Sequence, residues 1–259
     1  LPFLQGINYW PIHKAMYWWK SFDADEVDRD FGLLEQHGFK LVRIFLTWED
    51  FQPRPDRISK TALEHLSTTL DIAYEHGLKI MPTFFCGHMS GVNWMPAWML
   101  ADHHQPQPFD IYAGGVIYTD RALRDCYSDD EVIEAQSFQL ASVCQHIRHH
   151  QALYGYDLGN ENSNFAIPPD REKARHWLQV MTSTIRRYSP DKPVTIGMHS
   201  EDLEQDRQMW PQDAALYCDY LCMHGYPAYL SWVNDPMDAH ALPFLAIVTE
   251  WLGGKPALL

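Results

Sequence analysis

The chain has 259 residues, and one α/β barrel occupies roughly 200 to 400. A hydrophobic content of 46% and a charged content of 21% exclude wholesale disorder, and the sequence has no apolar run long enough to cross a bilayer. The formal net charge is −14. Because nucleic-acid affinity depends on clustered cations, this balance argues against a nucleic-acid partner and leaves a neutral substrate open.

Aromatic residues are abundant, with 10 Trp, 13 Tyr and 12 Phe. Two interpretations stay open: the rings fill the core, or they line a cleft that stacks on flat apolar faces such as those of sugars. The five cysteines form no C-x-x-C pair, and their odd number leaves no complete disulfide framework.

Short apolar runs alternate with amphipathic stretches, which is typical of βα units around a parallel sheet. The sequence predicts seven strands, at Phe3–Tyr9, Leu41–Leu46, Lys79–Phe85, Leu153–Leu158, Pro193–Met198, Tyr217–Met223 and Lys255–Leu259. It predicts six helices, at Asp25–Gln36, Lys60–His76, Asp129–His150, Asp170–Tyr188, Leu203–Asp213 and Met237–Leu252. We therefore expect an α/β protein with one domain spanning residues 1–259.

Glycines separate several helices from the strands that follow, at Gly38, Gly77 and Gly253–Gly254. A left-handed residue is expected at such helix ends. Residues 87–128 form a long connection after the third strand. Because this segment is rich in Trp, Met and Pro, we expect it to be functional rather than a solvated linker.

Polar and aromatic residues follow the carboxyl ends of the predicted strands, where barrel enzymes hold their reactive groups. They are Asn8-Tyr9-Trp10, Arg43, Trp48, His88, Asn160-Glu161-Asn162, His199 and His224-Gly225-Tyr226. Glu161 allows two interpretations: a carboxylate favoured by the dipole at a helix N-terminus, or a catalytic acid. The preceding Asn160 and the surrounding polar residues favour catalysis.

Several of these motifs resemble glycoside hydrolase family 5, in the cellulase and mannanase superfamily of retaining (β/α)8 barrels. Gly159-Asn160-Glu161 resembles its Asn-Glu acid/base signature, and Val42-Arg43-Ile44 its strand-two arginine. His224-Gly225-Tyr226-Pro227 resembles the strand-six His and Tyr, and Gly6-Ile7-Asn8-Tyr9-Trp10 the opening strand. The resemblance covers essentially the whole chain. It implies a (β/α)8 TIM barrel and hydrolysis of β-1,4-linked glucans or mannans by a retaining double displacement.

The resemblance also implies catalytic roles. Glu161 would protonate the leaving oxygen and then activate water, while Asn160 would bind the sugar 2-hydroxyl. Arg43 would hold the nucleophilic carboxylate ionised, and His224 and Tyr226 would position that carboxylate and the sugar. The family more often has Asp-x-His where this chain has Cys86-Gly87-His88.

The predicted substrate contacts come from the strand ends and the long connection. They are Trp10, Trp48, His88, Asn93 and Trp94, with Trp98 a further candidate for stacking or core packing. The expected partner is an oligo- or polysaccharide. We expect no cofactor and no metal site.

A retaining mechanism needs a second carboxylate roughly 5 Å from the first. Glu250 in Thr-Glu-Trp-Leu-Gly-Gly superficially fits the family's pattern, but its surroundings predict a helix capped by the glycines. In the family that the chain resembles, a Gly-Lys-Pro strand commonly runs directly into the nucleophilic glutamate, which favours a nucleophile just after Leu259 over Glu250. By this register, the given sequence lacks its last strand–helix unit and belongs to a longer polypeptide.

Two other functions stay open. The first is a metal-dependent barrel hydrolase, which the 14 histidines suggest. Three of them, His146, His149 and His150, are spaced so that they lie on one face of a helix. A barrel that binds glycans without cutting them would keep the tryptophans. The sequence begins at Leu1 without Met or a signal peptide, so we expect a processed or trimmed N-terminus; the compartment stays open, with secretion favoured over the cytoplasm.

Overall fold

The computed structural model describes residues 4–259, in which seven parallel strands form one sheet with their chain order kept. The strands are β1 (Gly6–Asn8), β2 (Leu41–Thr47), β3 (Lys79–Cys86), β4 (Tyr156–Asn160), β5 (Val194–His199), β6 (Leu221–His224) and β7 (Ala257–Leu258). All seven predicted strands are confirmed, although Phe3 lies outside the described residues. Because each strand pairs in parallel with the next strand along the chain, the sheet is a TIM-like α/β sheet.

The helices that connect these strands follow in chain order. They are α1 (Ala24–Gln36), α2 (Trp48–Phe51), α3 (Lys60–Glu75), α4 (Asp130–Ile147), α5 (Arg171–Tyr188), α6 (Pro211–Ala215) and α7 (Ala241–Gly253). The longer ones begin at capping side chains: Asp23 accepts from backbone N–H groups of α1, and Asp170 from one in α5. The predicted left-handed glycines are confirmed at Gly38 and Gly77, with φ of 82° and 63°.

The predicted helix over Leu203–Asp213 is wrong. A 3₁₀ turn covers Ser200–Leu203, and only the short α6 follows. Between them Asp206 accepts from the backbone N–H of Gln208, whose φ is +63°. This local turn competes with helical hydrogen bonding, so a helix begins only where Pro211 provides a favourable first residue.

Two other helix bounds also differ from prediction. The helix expected from Met237 begins at Ala241, because Asp235 and Asp238 each bind a backbone N–H two residues later and form turns. The helix expected to reach His150 ends at Ile147.

The long connection after β3 folds into two small sheets. His88–Met89, Val92–Trp94, Asp110–Ala113 and Val116–Tyr118 form the first, while Leu100–His104 pairs with Arg121–Leu123 in the second. Because His88 pairs with Asn93 across a tight turn, the segment returns directly to the carboxyl end of β3.

The sheet is open within residues 4–259, since β1 pairs only with β2 and β7 only with β6. Helix α7 buries Ala241, Leu245 and Thr249 but leaves Ile247 65% exposed and Trp251 80% exposed. An apolar helix face and two sheet edges are therefore uncovered in this part of the chain. None of its helices is both long and apolar enough to span a membrane.

Candidate active site

A buried ion pair lies at the centre of the sheet. Arg43 on β2 donates through Nε and Nη2 to Oδ2 of Asp157 on β4, at 2.8 and 2.6 Å. The same carboxylate accepts from Thr83 Oγ1 at 2.8 Å and from the Gly197 backbone N–H at 2.9 Å. Asp157 is fully buried and each of its oxygens is bound, so it has no capacity left for a ligand. We call Arg43, Thr83, Asp157 and Gly197 the Asp157 network.

Asn160 links this network to the carboxyl edge of the sheet. Its Oδ1 accepts from Arg43 Nη1 at 3.1 Å, and its Nδ2 donates to the carbonyl of His88 at 2.8 Å. These two bonds fix which end of the amide faces each neighbour. One N–H of the amide stays available for a further acceptor.

Glu161 follows β4 in a left-handed conformation, with φ 51° and ψ 48°. Residues other than glycine rarely adopt this conformation, and such strain is typically stored at functional sites. Glu161 is 8% exposed, and its carboxylate accepts from His224 Nδ1 at 3.0 Å and from Asn164 Nδ2 at 3.1 Å. His199 Nε2 lies 3.8 Å away. The carboxylate is thus held at both oxygens.

Three imidazoles surround this carboxylate, those of His88, His199 and His224, and with Glu161 we call them the Glu161 cluster. Burial raises the pKa of Glu161, but the hydrogen bond from His224 and the fields of the three rings outweigh it, so the pKa lies below its ordinary value. Burial and the nearby Arg43 charge lower the pKa of His224. Its ring is therefore neutral near pH 7 and uses its one proton to bind Glu161.

His88 is fixed from the long connection. Its Nδ1 bonds Oδ1 of Asn93 at 2.8 Å, and its ring packs on Phe109 with centroids 4.4 Å apart. Burial lowers the pKa of His88. Asn93 itself is fully buried, so it supports His88 rather than presenting its own surface to a substrate; the prediction of a substrate contact at Asn93 is corrected accordingly.

The predicted aromatic contacts divide into core and surface. Trp48 is fully buried and its Nε1 donates to Gln52, so the prediction that it stacks on a sugar is wrong. It faces inward because the chain turns directly from β2 into α2 at this residue. Trp98 packs edge-on against Trp48 and donates to the carbonyl of Gln52, as core packing requires.

Trp10 and Trp94 are only partly buried. Trp10 stacks on Phe45 with centroids 4.7 Å apart, and the Arg43 guanidinium lies over the same Phe45 ring at 4.5 Å. Trp94 contacts Tyr112 at 4.7 Å and Tyr17 at 5.5 Å, in a cleft beside the end of β2. Both side chains keep some exposed surface near the carboxyl edge of the sheet.

Tyr226 lies near Glu161, whereas Glu250 lies at the other edge of the sheet. Tyr226 is 48% exposed in the loop after β6, and burial, followed by the Glu161 charge, raises its pKa. Glu250 lies in the last turn of α7, where it accepts from the backbone N–H of Ala257 at the beginning of β7. Since that is the amino edge of the sheet, Glu250 and Glu161 are at opposite ends of the strands.

Two histidines at and just after the end of α4 have local partners. His146 bonds Ser67 at 2.8 Å and His150 bonds Asp71 at 3.0 Å, both on α3. Within residues 4–259, no group of three or more His, Cys, Asp or Glu side chains is arranged to hold a metal ion.

Three residues that act on the site were not among the predicted site residues: Asp157, Asn164 and Arg207. Asp157 lay unremarked inside a predicted apolar strand, where a charged residue already signals a buried partner. Asn164 and Arg207 carry no motif. Arg207 Nη1 donates to Asn164 Oδ1 at 3.1 Å, and only the tertiary fold brings them together.

Comparison with known proteins gives matches among solved structures only. No model of a protein family matches the chain, and neither does any curated protein sequence. An exo-β-1,4-mannosidase from Opitutaceae bacterium strain TAV5 is 29% identical, with a TM-score of 0.81 over 99% of this chain and 45% of that one. GH5_18 from Streptomyces cattleya, solved with GlcNAc, is 22% identical, with a TM-score of 0.85 over 98% of this chain and 60% of that one.

An endo-1,4-β-mannanase from Rhizomucor miehei shares the fold at 13% identity, with a TM-score of 0.69. The chain spans 45% of the length of the first of these structures and 60% of the second. The predicted resemblance to glycoside hydrolase family 5 is confirmed at the level of the fold, which the chain shares with GH5_18 structures.

Proposed function

We propose that this chain forms most of the catalytic barrel of a retaining glycoside hydrolase, with Glu161 as its acid/base. The observation that carries the proposal is the Glu161 cluster: a strained, nearly buried carboxylate with defined donors on both oxygens, at the carboxyl edge of a parallel sheet. A carboxylate that only stabilised the fold would need neither the left-handed backbone nor three imidazoles around it.

In the proposed reaction Glu161 first donates its proton to the glycosidic oxygen while a second carboxylate attacks the anomeric carbon. Glu161 then takes a proton from the water that releases the sugar. Asn160 has a free amide N–H for the sugar 2-hydroxyl, and Tyr226 is exposed beside the cluster, where it would contact the reacting sugar. Trp10, Trp94 and His88 would line the cleft.

The second carboxylate is proposed to come from the carboxyl end of β7, just after Leu259. Leu258 pairs with Cys222 in parallel register, so the strand would reach the level of His224 within two further residues. Arg43 lies close enough to His224 to affect its pKa, and would help to keep that carboxylate ionised. A second negative charge there would also raise the pKa of Glu161, which a general acid needs.

We further propose that an eighth strand–helix unit completes a (β/α)8 barrel. Such a unit would pair with the uncovered edges of β1 and β7 and would cover the apolar face of α7. The longer polypeptide is then expected to be more stable than residues 1–259 alone.

The proposed substrate class is the β-1,4-linked mannoside. The support is the 29% identical exo-β-1,4-mannosidase, which matches over nearly the whole of this chain. Small β-1,4-manno-oligosaccharides and their gluco equivalents therefore form the substrate panel of choice.

The test is hydrolysis of this panel by the complete polypeptide and by Glu161→Gln. We expect the wild type to cleave β-mannosides, and Glu161→Gln to lose roughly 10²- to 10⁴-fold in kcat, because the amide keeps the shape but carries no transferable proton. Full activity of Glu161→Gln would contradict the acid/base assignment. Cleavage of glucosides alone would contradict the substrate class.

A further inference from the structure

The carboxylate of Glu161 is held by residues that lie outside the strand ends. Asn164, in the turn after β4, donates through Nδ2 to Glu161 Oε2 at 3.1 Å. The other end of this amide, Oδ1, accepts from Arg207 Nη1 at 3.1 Å. Because a guanidinium can only donate, Arg207 fixes the orientation of the amide so that its NH₂ group faces Glu161.

Arg207 is itself held by Glu201. Its Nη2 pairs with Oε2 of Glu201, and its Nη1 also lies 3.3 Å from Ser163 Oγ. The Arg207 side chain is 12% exposed and that of Glu201 is 33% exposed, so the ion pair is partly shielded from solvent. A guanidinium anchored at both Nη atoms is a rigid support for the amide.

Glu201 also acts on the second neighbour of Glu161. Its backbone N–H donates to His199 Nδ1 at 3.4 Å, which makes that nitrogen the acceptor and leaves the proton of the ring on Nε2. His199 Nε2 lies 3.8 Å from Oε2 of Glu161 and presents that N–H to the carboxylate. Asp202 accepts from the backbone N–H of His199 at 2.9 Å and fixes the start of the turn.

We propose that Glu201 and Arg207 form a positioning unit that holds the acid/base Glu161 through Asn164 and His199. This inference rests on the proposed function of Glu161. Both arms converge on Oε2, while His224 holds Oε1 from the opposite side. The unit therefore selects the rotamer of Glu161 and favours its ionised form, since the Asn164 amide N–H donates to it and the His199 Nε2 faces it at 3.8 Å.

Loss of Arg207 has a consequence that a purely structural role would not produce. Without the guanidinium the amide of Asn164 can turn and present its oxygen to Glu161. This oxygen can accept a hydrogen bond from the protonated carboxyl group of Glu161 but can donate none to the ionised carboxylate. The expected result is a higher pKa for Glu161. The other titratable groups that face it stay in place: Cys86, His88, His199, His224 and Tyr226.

The experiment compares Arg207→Met, Arg207→Lys and the wild type in the complete polypeptide, on two β-mannosides. A phenyl leaving group needs protonation by Glu161, whereas a 2,4-dinitrophenolate leaves without it. In Arg207→Met the proton of Glu161 is directed to the Asn164 oxygen rather than to the leaving group, so the higher pKa does not help catalysis. We therefore expect a loss of about 10- to 100-fold in kcat/KM on the phenyl substrate and of about two-fold or less on the dinitrophenyl substrate. Arg207→Lys, which keeps one donor, should recover part of the loss.

The matched control is Arg175→Met, which breaks an ion pair at 2.7 Å between Arg175 on α5 and Asp213 on α6 and should leave both rates unchanged. Equal losses on the two substrates in Arg207→Met, or no loss on either, would overturn the proposal.

A second readout does not depend on activity. The pKa of the ¹³C-labelled Glu161 carboxyl group, measured by NMR, should rise in Arg207→Met and stay unchanged in Arg175→Met. No rise would overturn the positioning role. If the wild type cleaves neither substrate, the proposed function fails, and the titration still decides whether Arg207 and Glu201 control Glu161.

Discussion

Two buried carboxylates lie four residues apart on and just after β4, and they are held in opposite ways. Asp157 is fully buried, and Arg43, Thr83 and a backbone N–H bind its oxygens. Glu161 is slightly exposed and strained, and its hydrogen-bond donors are the neutral ring of His224 and the amide of Asn164. The difference teaches that complete burial with a charged donor marks a carboxylate that holds the sheet together, whereas partial exposure with neutral donors marks one available for chemistry.

The largest expected effect is on stability, and it tests whether Asp157 holds the sheet together. Asp157→Asn removes the negative charge and leaves Arg43 buried without a counter-ion, so we expect a loss of about 3 to 5 kcal/mol in the free energy of unfolding, measured with urea. Asp56→Asn is the control, because it removes the same charge from an exposed pair with Arg54, with side chains 69% and 66% exposed. It should change stability by about 0.5 kcal/mol or less. Equal effects in both variants would show that the Asp157 network is not a special source of stability.

A smaller effect is expected where the two regions touch. A Cβ at Gly197 would lie 2.7 Å from the carbonyl of Gly159, 2.8 Å from His224 Nε2 and 2.9 Å from Arg43 Nη2. Gly197→Ala should therefore lower the free energy of unfolding by about 1 to 3 kcal/mol. It should also lower the activity, because the new methyl group displaces His224. Gly32→Ala on α1 is the control, because its new Cβ would meet only the ring of His76, at 3.3 Å. If Gly197→Ala kept wild-type activity and stability, the close contact between the regions would be contradicted.

The smallest effect lies outside both regions. His76 after α3 bonds Glu35 and Asp28, each at 2.9 Å, and these hydrogen bonds raise its pKa. Because the folded-state pKa is raised, the stabilisation is complete below the unfolded pKa of about 6.5 and disappears as pH rises through the folded value. The difference in unfolding free energy between the wild type and His76→Gln should be about 0.2 to 1 kcal/mol at pH 5.5 and smaller at pH 9. A difference that grows with pH would contradict this assignment.

The sequence was sufficient to predict the sheet but not the surroundings of Glu161. Strand and helix periodicity, with glycines such as Gly38 and Gly77 between them, identified all seven strands, because these signals are local. The helix over Leu203–Asp213 was predicted wrongly, since Asp206 and Gln208 form a turn that periodicity does not detect.

The same limit applies to individual side chains. Trp48 and Trp94 both lie beyond the ends of strands in the sequence. Only the packing of α2 makes Trp48 a core residue. Asn164, Glu201 and Arg207 come together through the fold, so no spacing in the sequence announces them. Glu161 was found because its position after a buried strand, next to Asn160, is itself a local signal.

The most direct test of the central claim is the product formed by Glu161→Ala in the presence of azide. With 2,4-dinitrophenyl β-mannoside, the complete polypeptide carrying this substitution should still form the glycosyl–enzyme, because the leaving group needs no acid. Azide then replaces the water that Glu161 would have activated, and we expect β-mannosyl azide, with the configuration retained. Formation of α-mannosyl azide would identify Glu161 as the nucleophile, and rapid hydrolysis without any azide product would contradict its role as acid/base.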